Sequence, residues 1–257
     1  MRLAGQGIEQ LDRPPRRGEQ RQHAAVRRHG PAGGDPAVIG DREGAAPRDD
    51  VLTQLASVRF PDGALPEVAD VVRIATTLFA AGQETTARLL ATGMRVLAEQ
   101  PSVADELRAD AEAIPNFVEE CLRLESPIKG AFRLALRDTR LAEVEIPMGS
   151  IVMAMNGAAN RDARVFEDAD RFDAKRPNAR RHIAFGHGEH FCPGASLARA
   201  EVRVSLERLL ARLDDLEPVD PGALSYAPSF IIRGLNDLPL RFRGRRGGRS
   251  HAAGAGS

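Results

Sequence analysis

Apolar positions follow a helical period through the first half of the folded-looking sequence and alternate only in short runs further on. Asp49 and Asp50 precede an apolar-periodic run in Arg48–Val58, a helix-start signal. FPDG at Phe60–Gly63 has turn chemistry. The stretch from Leu65 to Pro101 reads as one long helix, with Pro66 in its first turn and Pro101 as its stop. Its middle, Ile74–Ala81, is apolar on nearly every face, which predicts burial on all sides at the centre of a domain. Ser102–Asp110 and Ile114–Pro127 read as shorter helices, the second opened by Pro115 and closed by Pro127.

Strand-like runs follow at Ala131–Leu136, Thr139–Asn156 with a Pro-Met-Gly turn, Phe230–Leu235 and Leu238–Phe242. Asn160–Arg181 is polar and irregular. Ala195–Leu213 is read as the last helix, with Leu197, Val204, Leu209 and Leu213 as its apolar stripe. The fold class implied is mainly α with small β-sheets (α+β), without an internal repeat.

The ends differ. Residues 1–47 scatter Arg, Gly and Pro without either period, and residues 243–257 read the same way. Both are expected to be a disordered or non-homologous leader and a disordered tail, leaving 48–242 as the folded part. Composition narrows the function. Lys plus Arg and Asp plus Glu both number 36, so no global charge draws the chain to nucleic acid or an anionic membrane. No apolar run is long enough to span a bilayer, and no signal-peptide pattern opens the chain. Two cysteines, Cys121 and Cys192, cannot form a disulfide framework, and a cytoplasmic location is expected.

Chemistry concentrates in HIAFGHGEHFCPGASLARAE, His182–Glu201. Gly186, Gly188 and Gly194 loosen the chain around Cys192, and a helix begins just after it. A helix N-terminus favours a thiolate, so Cys192 reads as a ligand rather than a packed thiol. Two metal readings stay open at this point. His187, His190 and Cys192 could hold zinc in an interaction module. Alternatively, Cys192 could be the single axial thiolate of a haem iron.

FGHGEHFCPG, Phe185–Gly194, resembles the haem-binding loop of the cytochrome P450 monooxygenases, F-x-x-G-x-x-x-C-x-G, through Phe185, Gly188, Cys192 and Gly194. AGQETT at Ala81–Thr86 is similar to that family's central-helix motif, and Glu120 with Arg123 to its E-x-x-R pair. The resemblance covers Arg48 to about Phe242, the C-terminal half of a soluble bacterial-type member, and so implies a fragment or a misassigned start.

What the resemblance implies is specific. The cofactor is haem b (iron protoporphyrin IX) with Cys192 as axial ligand. Ala81 and Gly82 leave room beside the cofactor, Thr85 assists dioxygen cleavage, and Glu84 feeds protons through water. His190 and Arg133 meet the haem propionates. Glu120 and Arg123 form a buried structural cluster with Arg171 as third member. Ile128, Lys129, Gly130, Ala131, Phe230, Ile231 and Ile232 face an apolar small-molecule substrate. Electrons come from a ferredoxin or similar donor, docking near Arg180 and Arg181, since no flavin or nicotinamide module is visible. The rival reading is a truncated remnant without catalysis, because the family's N-terminal half is not recognisable in residues 1–47.

Overall fold

The computed structural model describes residues 48–245. The expected leader and most of the expected tail lie outside them. The chain forms two compact units, one ending at Gln83 and the other beginning at Glu84.

In the first unit, α1 (Val51–Ser57) starts where the Asp pair predicts. Asp50 is its N-cap, and its carboxylate accepts the Thr53 amide at 2.8 Å, satisfying an otherwise orphaned donor. The FPDG turn closes through the Gly63 amide to the Phe60 carbonyl at 2.8 Å, with Gly63 at φ +81°. Helix α2 (Val68–Glu99) begins two residues after Pro66, so that proline precedes the first turn rather than occupying it. In this first stretch of α2 Val71 is buried, but Ile74, Leu78 and Phe79 are exposed, Phe79 at 66%. The expectation of burial on every side is corrected here. An all-round apolar helix needs neighbours on all faces, and the described residues leave these three facing solvent.

The second unit holds the core. Leu89, Val96 and Leu97 of α2 pack with Phe117, Val118 and Leu122 of α4 (Ile114–Glu125) and with Val202, Leu206 and Leu210 of the last helix. Between α2 and α4 runs α3 (Pro101–Ala109), with Pro101 at its first position. Gly93 lets the helices approach. A Cβ there would sit 3.4 Å from Phe117 Cε1 and 3.6 Å from Leu206 Cδ2.

Among the described residues the strands form three two-stranded antiparallel sheets. β1 (Ala131–Leu134) pairs with β4 (Ile151–Ala154), and β2 (Thr139–Leu141) with β3 (Val144–Ile146). The run expected at Thr139–Asn156 is therefore broken twice, once at the Pro-Met-Gly turn and once at Ala142, which takes φ +51° to close the β2–β3 hairpin. A short helix α5 (Asn156–Ala159) follows β4.

The last helix, α6, is Ala195–Leu210 and stops three residues short of the expected end. Leu213–Pro218 forms β5 instead and pairs with β6 (Leu240–Gly244). That pairing is non-local, so no local period announces it. β6 also carries Arg243 and Gly244, two residues beyond the expected limit of the folded part. The expected strand at Phe230–Leu235 reduces to two isolated bridges, Ile128 with Ile232 and Tyr226 with Leu235.

The buried face of α6 is Ala195, Val202, Leu206 and Leu210, whereas Leu197 and Val204 of the expected stripe are exposed. Two rows on this helix satisfy the helical period. The positions of α2 and α4 select between them.

Candidate functional site

Glu120 and Arg123 lie three apart on α4 and face each other with no exposure at all. The Arg123 guanidinium donates to both carboxylate oxygens, at 2.7 and 2.8 Å. Its remaining donors reach the backbone carbonyls of Asn160 at 2.8 Å, Ala169 at 2.6 Å and Arg171 at 3.2 Å. All its donor positions are thus engaged in a buried site, which is the condition for keeping a charge there.

The third member of this cluster is Arg176, not Arg171. Arg176 is buried, and its Nε donates to Glu120 Oε1 at 3.0 Å. The Arg171 side chain is 70% exposed and faces Asp168, and only its backbone carbonyl joins the network. Both arginines follow the E-x-x-R helix at plausible spacing. The inward one, Arg176, finds the Glu120 carboxylate and the Glu167 and Arg171 carbonyls together, whereas Arg171 meets only the exposed Asp168.

The Cys192 loop is closed by its backbone. The Cys192 amide donates to the Phe185 carbonyl at 2.9 Å, and the Phe191 amide to that of Gly188 at 3.0 Å. Gly186 and Gly188 sit at φ +77° and +78°, where a side chain would be strained. A Cβ on Gly194 would stand 3.9 Å from the cysteine sulfur. Cys192 is half-buried, has no disulfide partner, and lies two residues before Gly194, the N-cap of α6. Cys121 is enclosed, and burial pushes its thiol well above its ordinary range, as expected of a packing residue.

A large planar group ligated through sulfur fits this loop. The space beyond Gly188 is open, and the apolar side chains of Phe191 and Leu197 are exposed in the same segment. The zinc reading does not survive. Among the described residues, no three His, Cys, Asp or Glu side chains, His187, His190 and Cys192 included, group closely enough to hold a metal ion together.

The other expected residues take these places. His190 ends a 3₁₀ turn, Gly188–His190, within the loop. Arg133 is half-buried on β1 and donates to the Phe132 carbonyl at 3.0 Å. Ala81 and Gly82 belong to the first unit and are exposed. Glu84 and Thr85 belong to the second, and Thr85 is half-buried. The Glu84 carboxylate accepts from Arg88 at 2.6 and 3.0 Å, one helical turn on.

The two expected substrate segments do come together. Lys129 donates its amide to the Ile231 carbonyl at 2.7 Å, and Ile128 bridges Ile232. Gly130 is required where β1 meets β4, since a Cβ would fall 2.3 Å from the Ala154 carbonyl oxygen. Phe230 and Ile231 are exposed, while the Lys129 ammonium is tied to the Ser229 carbonyl.

Two buried carboxylates went unnoticed in the sequence. Glu125 is held by Arg233, through bonds of 2.6 and 3.2 Å. Glu119 is held by Arg199, at 2.7 and 3.0 Å, and by His182 Nε2 at 2.8 Å. Burial pushes the Glu119 pKa up, but the hydrogen bonds from His182 and Arg199 and the Arg199 charge outweigh it and hold the carboxyl at about 2. The helical repeat of α4 places Glu125 on its apolar side but Glu119 nearly opposite, so the burial of Glu119 comes from the segments carrying His182 and Arg199 and has no local signal.

Comparison with known proteins agrees with the loop and the buried cluster. Residues 61–222 match the family model "Cytochrome P450". A putative cytochrome P450 140 of Mycobacterium tuberculosis is 42% identical over 197 residues, covering 76% of this chain and 44% of the relative. The cytochrome P450 monooxygenase PikC of Streptomyces venezuelae is 41% identical over 204 residues, 78% of this chain and 49% of PikC. The substrate-free structure of Mycobacterium marinum cytochrome P450 CYP150A6 superposes with a TM-score of 0.77 at 49% identity, over 81% of this chain and 53% of that one. The chain spans about half the length of the relatives it matches. With the motifs, the buried charge cluster and the fold in agreement, the chain belongs to the cytochrome P450 family.

Proposed function

We propose that this chain carries the haem-binding part of a monooxygenase that inserts one oxygen atom from O₂ into an apolar small molecule. The observation that carries the reading is the Cys192 loop: a half-buried, unpaired sulfur in a glycine-cut turn, closed by the Phe185–Cys192 backbone bond and set just before α6. The family cofactor is haem b with an axial thiolate, and Cys192 is the residue to supply it. When bound, the haem supplies the activation of dioxygen. Arg133 and His190 are the donors to meet its propionates.

The remaining residues bind and move protons. Ile128–Ala131 and Phe230–Ile232 offer a mostly apolar wall, since the Lys129 charge is drawn off to Ser229. Thr85 and Glu84 are the groups to hold and hand on protons, with Ala81 and Gly82 leaving space on the same helix. Glu84 starts from its ion pair with Arg88, both of whose bonds fall on Oε1. Electrons would come from a ferredoxin or similar donor, docking beside the exposed Arg180 and Arg181, in the cytoplasm. No helix among the described residues is long and apolar enough to cross a membrane.

A second reading, in which this chain does not itself carry catalysis, is favoured by the exposed Ile74, Leu78 and Phe79. One measurement separates the two. The full chain is supplied with haem, reduced, and scanned under CO. A red-shifted, thiolate-type Soret band that vanishes in Cys192→Ala supports the monooxygenase reading. A chain that retains no haem, or a band indifferent to Cys192→Ala, overturns it.

A further inference from the structure

The E-x-x-R cluster accounts for Glu120 but not for Glu119 beside it. A second buried carboxylate on the same helix has a different set of partners and a different direction. Glu119 receives both ends of the Arg199 guanidinium fork from α6, Nε to Oε1 and Nη2 to Oε2. A paired fork of this kind fixes the guanidinium plane, which a single ammonium could not do. The cation sits over an aromatic ring: Arg199 Cζ lies 4.5 Å from the centroid of Phe185. Phe185 in turn accepts the Cys192 amide at its carbonyl.

A second arm runs from the same carboxylate. His182 Nε2 meets Glu119 Oε2, while His182 Nδ1 accepts the amide of Ala184 at 3.1 Å, which puts the ring proton on Nε2. Ala184 immediately precedes Phe185, and the His182 and Phe185 rings are 6.0 Å apart. Arg180 is the other charged side chain facing Glu119, at 3.8 Å. Both arms end on Phe185, the residue that closes a loop otherwise loosened by Gly186, Gly188 and Gly194.

We infer that Glu119, Arg199 and Phe185 are positioning residues for Cys192: a carboxylate–guanidinium–ring strut that fixes where the cysteine sulfur stands relative to α4 and α6. The consequence for a bound haem rests on the function proposed above, but the strut itself can be read without haem. A loop with three glycines has much freedom to lose, and a doubly bonded guanidinium over the ring removes it at one point.

The test is hydrogen exchange of the Cys192 amide in the full chain, compared with the Leu206 amide of the core as reference. Arg199→Gln is expected to speed exchange at Cys192 about tenfold relative to that reference, the size of a lost partly buried cation–ring contact. The variant also strands the Glu119 charge, so a second variant is needed. Arg199→Gln with Glu119→Gln removes both charges. Its urea midpoint should recover while Cys192 exchange stays fast. If the double variant restores both, the pair merely balances charge and the inference fails. It fails too if Arg199→Gln moves Cys192 no more than Leu206. With haem supplied, the same double variant should lower the fraction of thiolate-type CO band. A chain that shows the exchange pattern yet takes up no haem supports the strut and overturns only the proposed function.

Discussion

Arg176 offers a sharp quantitative test, because sequence reasoning put Arg171 in its place. Arg176→Leu removes four hydrogen bonds: one to Glu120 Oε1 at 3.0 Å and three to the carbonyls of Glu167, Asp168 and Arg171. Not all of these leave a group stranded. Glu120 keeps both bonds from Arg123 and the Asp173 amide at 3.0 Å, and the Arg171 carbonyl keeps Arg123. The Asp168 carbonyl keeps the Arg171 amide. The loss is therefore chiefly one charge-assisted bond, worth about 1.5–3 kcal/mol, since Glu167 is exposed and water can replace the lost donor at its carbonyl. A total near ~2 kcal/mol is expected, and at an m-value of ~2 kcal/mol/M the urea midpoint should fall by about 1 M. Arg171→Ala touches a solvated side chain and should cost under about 0.5 kcal/mol. The assay is urea unfolding of the full chain followed by far-UV circular dichroism. Arg176→Lys, which keeps the charge but not the fork, should fall between. Equal shifts for Arg171→Ala and Arg176→Leu would refute the assignment.

Two further outcomes follow from the geometry. Glu119 has a folded-state pKa held at about 2 against an ordinary 4.5, so its contribution is complete above pH 4.5 and is lost as pH falls toward 2. That contribution is of order 3 kcal/mol, and stability curves of Glu119→Gln should lack this acid limb while keeping those of the other carboxylates. Gly130→Ala drives a Cβ into the Ala154 carbonyl, which belongs to backbone and cannot swing away. A loss of about 1–3 kcal/mol is expected, measurable as a lowered thermal midpoint, whereas Gly82→Ala, where a Cβ meets no atom within 4 Å, should not destabilise the helix.

The closed loop around Cys192 and the Glu120–Arg123 pair were legible because their signals are local. A cysteine between glycines and a helix start is a statement about a few neighbouring residues, and so is a Glu and an Arg three apart on a helix. Pro101 and the Asp50 cap mark helix ends by the same local chemistry. The strand β5 was not legible, because it exists only by pairing with β6 from the far end of the sequence. The face of α6 was misjudged for a related reason. Of the expected row, Leu197 and Val204 are exposed while Leu209 and Leu213 pack at the edge of the core, and full burial belongs to Val202, Leu206 and Leu210, which meet α2 and α4.

By itself, then, the sequence determined the longer helices, the glycine-cut loop around Cys192 and the Glu120–Arg123 pair, since each is written in contiguous or helically spaced residues. Only the tertiary structure decided that Arg176 rather than Arg171 turns inward, and that Glu119 reaches Cys192 through Arg199 and Phe185. Buried charge is the physical reason. An ion enters the interior only where every donor and acceptor around it is matched, and those matches come from segments that sequence spacing does not connect.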